Sequence, residues 1–247
     1  CKDPNLQQIP REPEADEQAL APWKKVKQAF MPTPGYHLYE CDYSQLELRI
    51  LTGYAGEGEL KRTFLEDRDL FTEMAGKLGF PRQVIKKFVY MTNYGAGPDK
   101  ISRDIEIPLS EALKLKTNYY TEYPGFLRVN QECTQSGQND KKIKLWSGRY
   151  RNFESAGEGY KAMNSLIQGG GADIVERAMV RIFEEVDQKS NGEVRMLLTV
   201  HDSIWFEIME GTEDKWLPQI LNLMTDVKAL GANFDVKFAA EAKRLDH

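Results

Sequence analysis

Asp42 ends an alternating, aromatic-rich stretch, residues 36–42 (YHLYECD). Asp202 lies between two apolar runs, 194–200 (VRMLLTV) and 203–208 (SIWFEI). The alternation predicts a strand ending on an acid, and His201-Asp202 predicts the turn of a hairpin. Two carboxylates brought together from strand ends repel unless cations neutralise them. Hard cations such as Mg²⁺ prefer such oxygen ligands. A pair of them activates an attacking hydroxyl and stabilises a leaving phosphate. Either acid alone is equally what a solvated strand end looks like. A second pattern is more specific: Arg82, Lys86, Tyr90 and Tyr94 follow at i+4 spacing. Each step turns about 40° around a helix, so the four span roughly 120°, one face. Two cations near a helix N-terminus suit anions. Two aromatics beyond them suit stacking on a base. The bland alternative is an amphipathic helix that buries both tyrosines.

These residues need elements to hold them. Residues 1–35 hold six prolines and read as irregular. After the first strand, 45–54 reads as a helix. A second helix spans 69–78, closed by Gly79 and Pro81, and a third spans 82–94, stopped by Gly95-Ala96-Gly97-Pro98. Ser110 is the expected cap of a helix reaching Glu122. Tyr123-Pro124-Gly125 breaks it, and another helix runs to about Ser136. Residues 141–153 predict a hairpin turning at Ser147-Gly148. Residues 158–189 read as helical, interrupted at Gly169-Gly170-Gly171. The two strands around Asp202 follow, then a helix over 213–230 and a last strand over 234–239. The class is α+β, with a small antiparallel sheet and many helices.

The 247 residues suggest one large domain or two small ones, of ordinary globular composition. No apolar run approaches 18 residues, so a membrane span is not expected. Cys1, Cys41 and Cys133 show neither disulfide nor zinc spacing, which fits a reducing compartment. The net charge is −5, which by itself speaks against a nucleic-acid binder. The distribution says otherwise. Residues 82–98 carry three basic side chains and no acid, 141–151 carry five and no acid, and Lys24, Lys25 and Lys27 form a third island. Such islands are solvated faces or phosphate contacts on one wall of a cleft.

Taken in order, the motifs resemble the family A (DNA polymerase I-like) DNA polymerases over nearly the whole chain. Residues 42–49 (DYSQLELR) resemble motif A. Arg82, Lys86, Tyr90 and Tyr94-Gly95 resemble motif B, and Val200-His201-Asp202 resembles motif C. Residues 3–10 (DPNLQQIP), 28–30, 123–125, 147–149 and Asn164, Gln168-Gly169 and Ala172-Asp173 fit as well. Tyr90 and Tyr94-Gly95-Ala96-Gly97 look phage-type.

The resemblance implies a polymerase palm with a small antiparallel sheet plus helical fingers. Palm is expected at 1–55 and 141–247, and fingers at 56–140 with the motif B helix at 82–95. Thumb and exonuclease are expected to be absent from this chain, which implies an N-terminal polymerase fragment as partner. Asp42 and Asp202 would hold two Mg²⁺ ions. Arg82 and Lys86 would grip the triphosphate, Tyr90 would lie against the sugar, and Tyr94 would sit near the templating base. Glu47 would be the steric gate against a ribose 2′-OH. Asn164 and Gln168 would contact the minor groove, Lys25 the primer terminus, and Arg149 the DNA. The implied activity is template-directed addition of dNTPs to a primer 3′-OH on primer–template DNA, in the cytoplasm. Two departures stand out. His201-Asp202-Ser203 lacks a third carboxylate, and Asp69-Leu70-Phe71 has Phe where a phosphate-contacting His is usual. The rival readings are a single-subunit RNA polymerase, against which Glu47 argues, and a non-catalytic DNA-binding subunit, against which retention of Asp42 and Asp202 argues.

Overall fold

A computed structural model describes residues 30–245. The basic island at 24–27, including Lys25, lies outside the described residues, as do most of the prolines expected to be irregular. In chain order the elements are β1 (Tyr36–Tyr43), α1 (Leu46–Ala55), α2 (Gly58–Leu65), α3 (Leu70–Leu78), α4 (Arg82–Asn93), α5 (Pro98–Ile105), α6 (Leu109–Glu122) and α7 (Pro124–Asn139). Then come β2 (Lys142–Lys144), β3 (Tyr150–Asn152), α8 (Ala162–Ile182), β4 (Val194–Val200), β5 (Ser203–Met209), α9 (Glu213–Thr225) and β6 (Ala240–Arg244). The chain divides into two units. The first takes the residues up to Ser44, Ile174–Asp226 and those from Ala239 on; the second takes Gln45–Asp173 and Val227–Phe238.

The first unit is built on an antiparallel sheet in the order β4-β5-β1-β6. β5 is central, and Ser203 to Ile208 are buried on both of its faces. Successive side chains alternate between faces. Cys41, Ile204, Phe206 and Ile208 therefore line one side, the side of Tyr43, whose hydroxyl donates to the Met224 carbonyl of α9 at 2.7 Å. Glu40, Asp42, Ser203 and Trp205 share the other. A bulge in β4 between Met196 and Leu198 inserts Leu197, which is 47% exposed.

The second unit packs α1 to α7 and the start of α8 around Leu48, Phe64, Phe71, Phe88, Tyr119 and Phe126. Tyr119 meets Phe88 edge-on at 5.3 Å and lies 5.8 Å from Phe126. Such ring pairs add about 0.5–1.5 kcal/mol beyond burial. α3 starts where Asp69 accepts the Thr72 N–H at 3.0 Å, and stops at Gly79, whose φ of 74° suits glycine. α4 buries Ile85, Phe88, Val89, Thr92 and Asn93, which leaves the face of Arg82 and Lys86 outward.

Several expectations need correction. The three glycines do not interrupt the helix: α8 runs unbroken from Ala162 to Ile182. They are there for close approach. A Cβ at Gly169 would stand 2.9 Å from Leu145 Cδ1, at Gly170 3.1 Å from Trp146 Cδ1, and at Gly171 3.3 Å from Leu46 Cδ2. Ser110 is not a cap, because α6 begins at Leu109 after Pro108. α9 ends at Thr225, not at 230. The last strand is 240–244, not 234–239. Phe234 and Phe238 are instead buried in the second unit, where Phe234 meets Tyr54 at 5.2 Å and Arg49 donates to the Lys237 carbonyl. α2 and α5, eight residues each, were not expected.

Two glycine substitutions separate packing from propensity. At Gly137 in α7 a Cβ would lie 2.8 Å from Gly159 Cα, while at Gly76 in α3 it would meet nothing within 4 Å. Overpacking costs typically about 1–3 kcal/mol, and a helical Gly→Ala gains up to about 1 kcal/mol. Gly137→Ala is expected to lower the urea midpoint and Gly76→Ala to raise it. Equal shifts would contradict the packing at Gly137.

Candidate active site

The pair Asp42 and Asp202 is made by strand pairing. Asp42 stands opposite Ser203 across β1 and β5. Val200 pairs with Ser203, so His201 and Asp202 alone form the turn between β4 and β5. The Tyr43 N–H reaches the Asp202 carbonyl at 3.4 Å, which brings the turn beside the end of β1. His201 takes a φ of 57°, a left-handed conformation uncommon outside glycine. Ser203, at the position lacking a carboxylate, is not idle: its hydroxyl donates to Glu40 Oε1 at 3.2 Å, and Trp205 Nε1 donates to the same oxygen at 3.3 Å. On the other flank of β1, Glu241 of β6 stands opposite Asp42. Glu40 and Glu241 were missed from sequence. The alternation at 36–42 offered Glu40, but the misplaced last strand hid Glu241.

The second unit holds the motif B residues as a face. Arg82 and Lys86 are exposed, and Tyr90 is half-buried. Tyr94, 40% exposed, caps the end of α4, so the helix does not bury it as the bland alternative required. Asp69 Oδ2 accepts from Arg82 Nε at 2.9 Å and Nη2 at 2.7 Å. Burial works against the charged Asp69, but the bonds from Arg82 and the Thr72 N–H outweigh it and hold the carboxyl below its usual range. Both partners are well exposed, so the pair itself contributes at most about 1 kcal/mol. Sequence offers Asp69 as a helix start and as the first residue of Asp69-Leu70-Phe71, not as a partner of Arg82.

Glu47 and Tyr94 are in contact: the Tyr94 hydroxyl donates to Glu47 Oε2 at 2.8 Å. Burial and then the Glu47 charge push the Tyr94 hydroxyl pKa well up, with a smaller opposing bond to Gln168. Glu47, Tyr94 and Gln168 therefore form one polar chain, an unexpected link between three residues singled out separately. Asn164 Oδ1 is buried without a hydrogen-bond partner. Arg149 Nη2 binds Asp173 Oδ1 at 2.6 Å and Ser147 Oγ binds Oδ2 at 2.5 Å, so Asp173 ties the β2–β3 turn to α8.

The family model for DNA polymerase family A matches residues 1–244. The chain belongs to DNA polymerase family A. It is 30% identical over 224 residues to the thermostable DNA polymerase I of Thermus aquaticus, covering 83% of this chain and 26% of that protein. It is 29% identical over 261 residues to DNA polymerase I of Rhizobium leguminosarum, covering 98% and 25%. The chain thus spans about a quarter of the length of these relatives. The solved POL domain of Pol1 from M. smegmatis, in complex with DNA primer-template and dNTP, superposes with a TM-score of 0.85 over 98% of this chain and 44% of that one, at 24% identity. The mixed helical and antiparallel fold matches part of this polymerase domain. Among the described residues no helix is long and apolar enough to cross a membrane.

The Tyr94–Glu47 bond is open to titration. Tyr94 is expected to remain protonated where free tyrosines ionise, near pH 10. Its raised pKa stabilises the fold below that pH, and the contribution is lost as pH rises through the folded value. Difference absorbance between the wild type and Tyr94→Phe isolates this group. Glu47→Gln should bring its ionisation down, and a Tyr94 that titrates near 10 in both proteins would contradict the contact.

Proposed function

We propose that this chain carries the nucleotidyl-transfer chemistry of a DNA polymerase: a primer 3′-OH attacks the α-phosphate of a dNTP and pyrophosphate leaves. The observation that carries the reading is the β1–β5 register with its two-residue turn, which brings the motif A and motif C acids, Asp42 and Asp202, to adjoining strand ends. Membership of the family supports it.

The donors fit a hard divalent cation. Among the described residues no group of three or more His, Cys, Asp or Glu forms a cage for a metal ion. Two carboxylates with the remaining positions left to water and substrate phosphate match the habit of Mg²⁺. Asp42 and Asp202 would hold two such ions, whose chemistry when bound is to acidify the attacking hydroxyl and neutralise the leaving phosphate. The chain's own residues do the positioning. Arg82 and Lys86 bind the triphosphate as charge-assisted donors. Tyr90 lies against the sugar, and Tyr94 sits by the templating base. Glu47, held by Tyr94, sets a carboxylate against the sugar edge, where a 2′-OH clashes. Asn164 and Gln168 contact the minor groove, and Arg149 and Lys25 contact DNA. Residues 1–55 and 141–247 serve as palm and 56–140 as fingers. An N-terminal polymerase fragment supplies further phosphate contacts, since sequence-independent affinity comes mainly from these. The phage-like motif B and the absence of paired-cysteine spacing fit work in the cytoplasm of a bacterial or phage-infected cell.

Single-turnover primer extension with Mg²⁺ tests the reading, with dNTPs and NTPs as separate arms and with or without an N-terminal polymerase fragment. Asp42→Ala and Asp202→Ala are expected to lose far more than tenfold in rate with unchanged melting. A loss under tenfold, about 1.4 kcal/mol of barrier, would contradict the assignment. Glu47→Ala is expected to lower the dNTP/NTP ratio of kcat/KM at least tenfold by removing a repulsive element. An unchanged ratio would take Glu47 out of the gate.

A further inference from the structure

Three groups converge on the ring of Phe71. Arg82 Cζ lies 5.9 Å and Lys86 Nζ 6.0 Å from its centroid, and the Tyr90 ring stands 5.9 Å away, tilted by 45°. Phe71 itself is 2% exposed and fixed in the core of the second unit. Two positions earlier, Asp69 holds the Arg82 guanidinium from the side. The first turn of α3 thus touches three of the four residues of the α4 face.

We propose that Phe71 is a positioning residue for nucleotide binding, a shared platform that pre-orders Arg82, Lys86 and Tyr90. This deepens the proposed function and rests on it. A phenyl ring cannot bond a phosphate, so Phe71 acts only through its neighbours. Two long cationic side chains next to each other repel and sample many rotamers, and ordering them on binding weakens affinity. The negative face of a buried ring attracts both cations within about 6 Å and offsets part of their repulsion. The cations are then held near each other before a triphosphate arrives. Tyr90, packed on the same ring, keeps its place relative to both.

Fluorination tests this without altering shape, because each fluorine drains the ring face. Phe71 is replaced by 4-fluoro-, 3,5-difluoro- and 3,4,5-trifluorophenylalanine in the 247-residue chain, and dTTP binding with Mg²⁺ is followed by calorimetry alongside melting. The dTTP Kd is expected to rise stepwise, about fivefold across the series, with no loss of melting temperature. Trifluorophenylalanine at Phe88, buried against Tyr119, is expected to leave Kd unchanged. A flat Kd across the Phe71 series, or an equal effect at Phe88, overturns the platform alone. dTTP binding that is absent in the wild type, or that Arg82→Ala leaves intact, overturns the nucleotide-binding reading of the α4 face and the platform with it.

Discussion

The antiparallel pairing of β1 with β5, from Tyr36 opposite Met209 to Asp42 opposite Ser203, is the constraint on which the acid pair depends. A slip of one residue would turn Asp42 to the face of Cys41 and Phe206, and Trp205 away from Glu40. The register is held because both faces of β5 are buried: Ile204, Phe206 and Ile208 on one side, Trp205 on the other. The apolar side is closed by α9. The polar side collects Glu40, Asp42 and Glu241 with Asp202 at the adjoining turn. Carboxylates gathered at one strand end repel one another. Burial of the strand offsets that repulsion. The bonds from Ser203 and Trp205 to Glu40 occupy one acid of the group.

In the second unit, close helix packing fixes the α4 face and its neighbours. The glycines of α8 let Leu145, Trp146 and Leu46 approach its backbone. That approach brings the β2–β3 turn to Asp173, where Arg149 and Ser147 bind. The start of α3 does double duty: Asp69 caps its own helix with one oxygen and braces Arg82 with the other. An exposed ion pair contributes little to stability, so its consequence is orientation of the guanidinium. The bond from Tyr94 to Glu47 likewise joins the end of α4 to α1.

Much of this was legible in the sequence because it depends on local periodicity. Alternation at 36–42, the apolar runs around His201-Asp202, and i+4 spacing from Arg82 each obey a short-range rule. What was not legible depends on long-range contact. Gly169-Gly170-Gly171 looks like a break, and only Leu145, Trp146 and Leu46 across the gap explain glycines inside an unbroken helix. Residues 234–239 alternate like a strand, but Phe234 and Phe238 are buried in the second unit, and pairing with β1 starts at Ala240. Glu241 was hidden by that shift. The Asp69–Arg82 brace and the ring of Phe71 beneath two cations link α3 and α4 across a turn and leave no mark in spacing.

Asp42 and Asp202 are proposed to act together as one metal centre that both ions share. Mn²⁺ binding followed by electron paramagnetic resonance for the wild type, Asp42→Asn, Asp202→Asn and the double variant tests it most directly. Groups that share a ligand are strongly non-additive. Either single change is expected to remove most of the bound Mn²⁺, and the double variant to lose little more. Losses that simply add, or binding that survives in the double variant, would show that the two carboxylates do not share a cation.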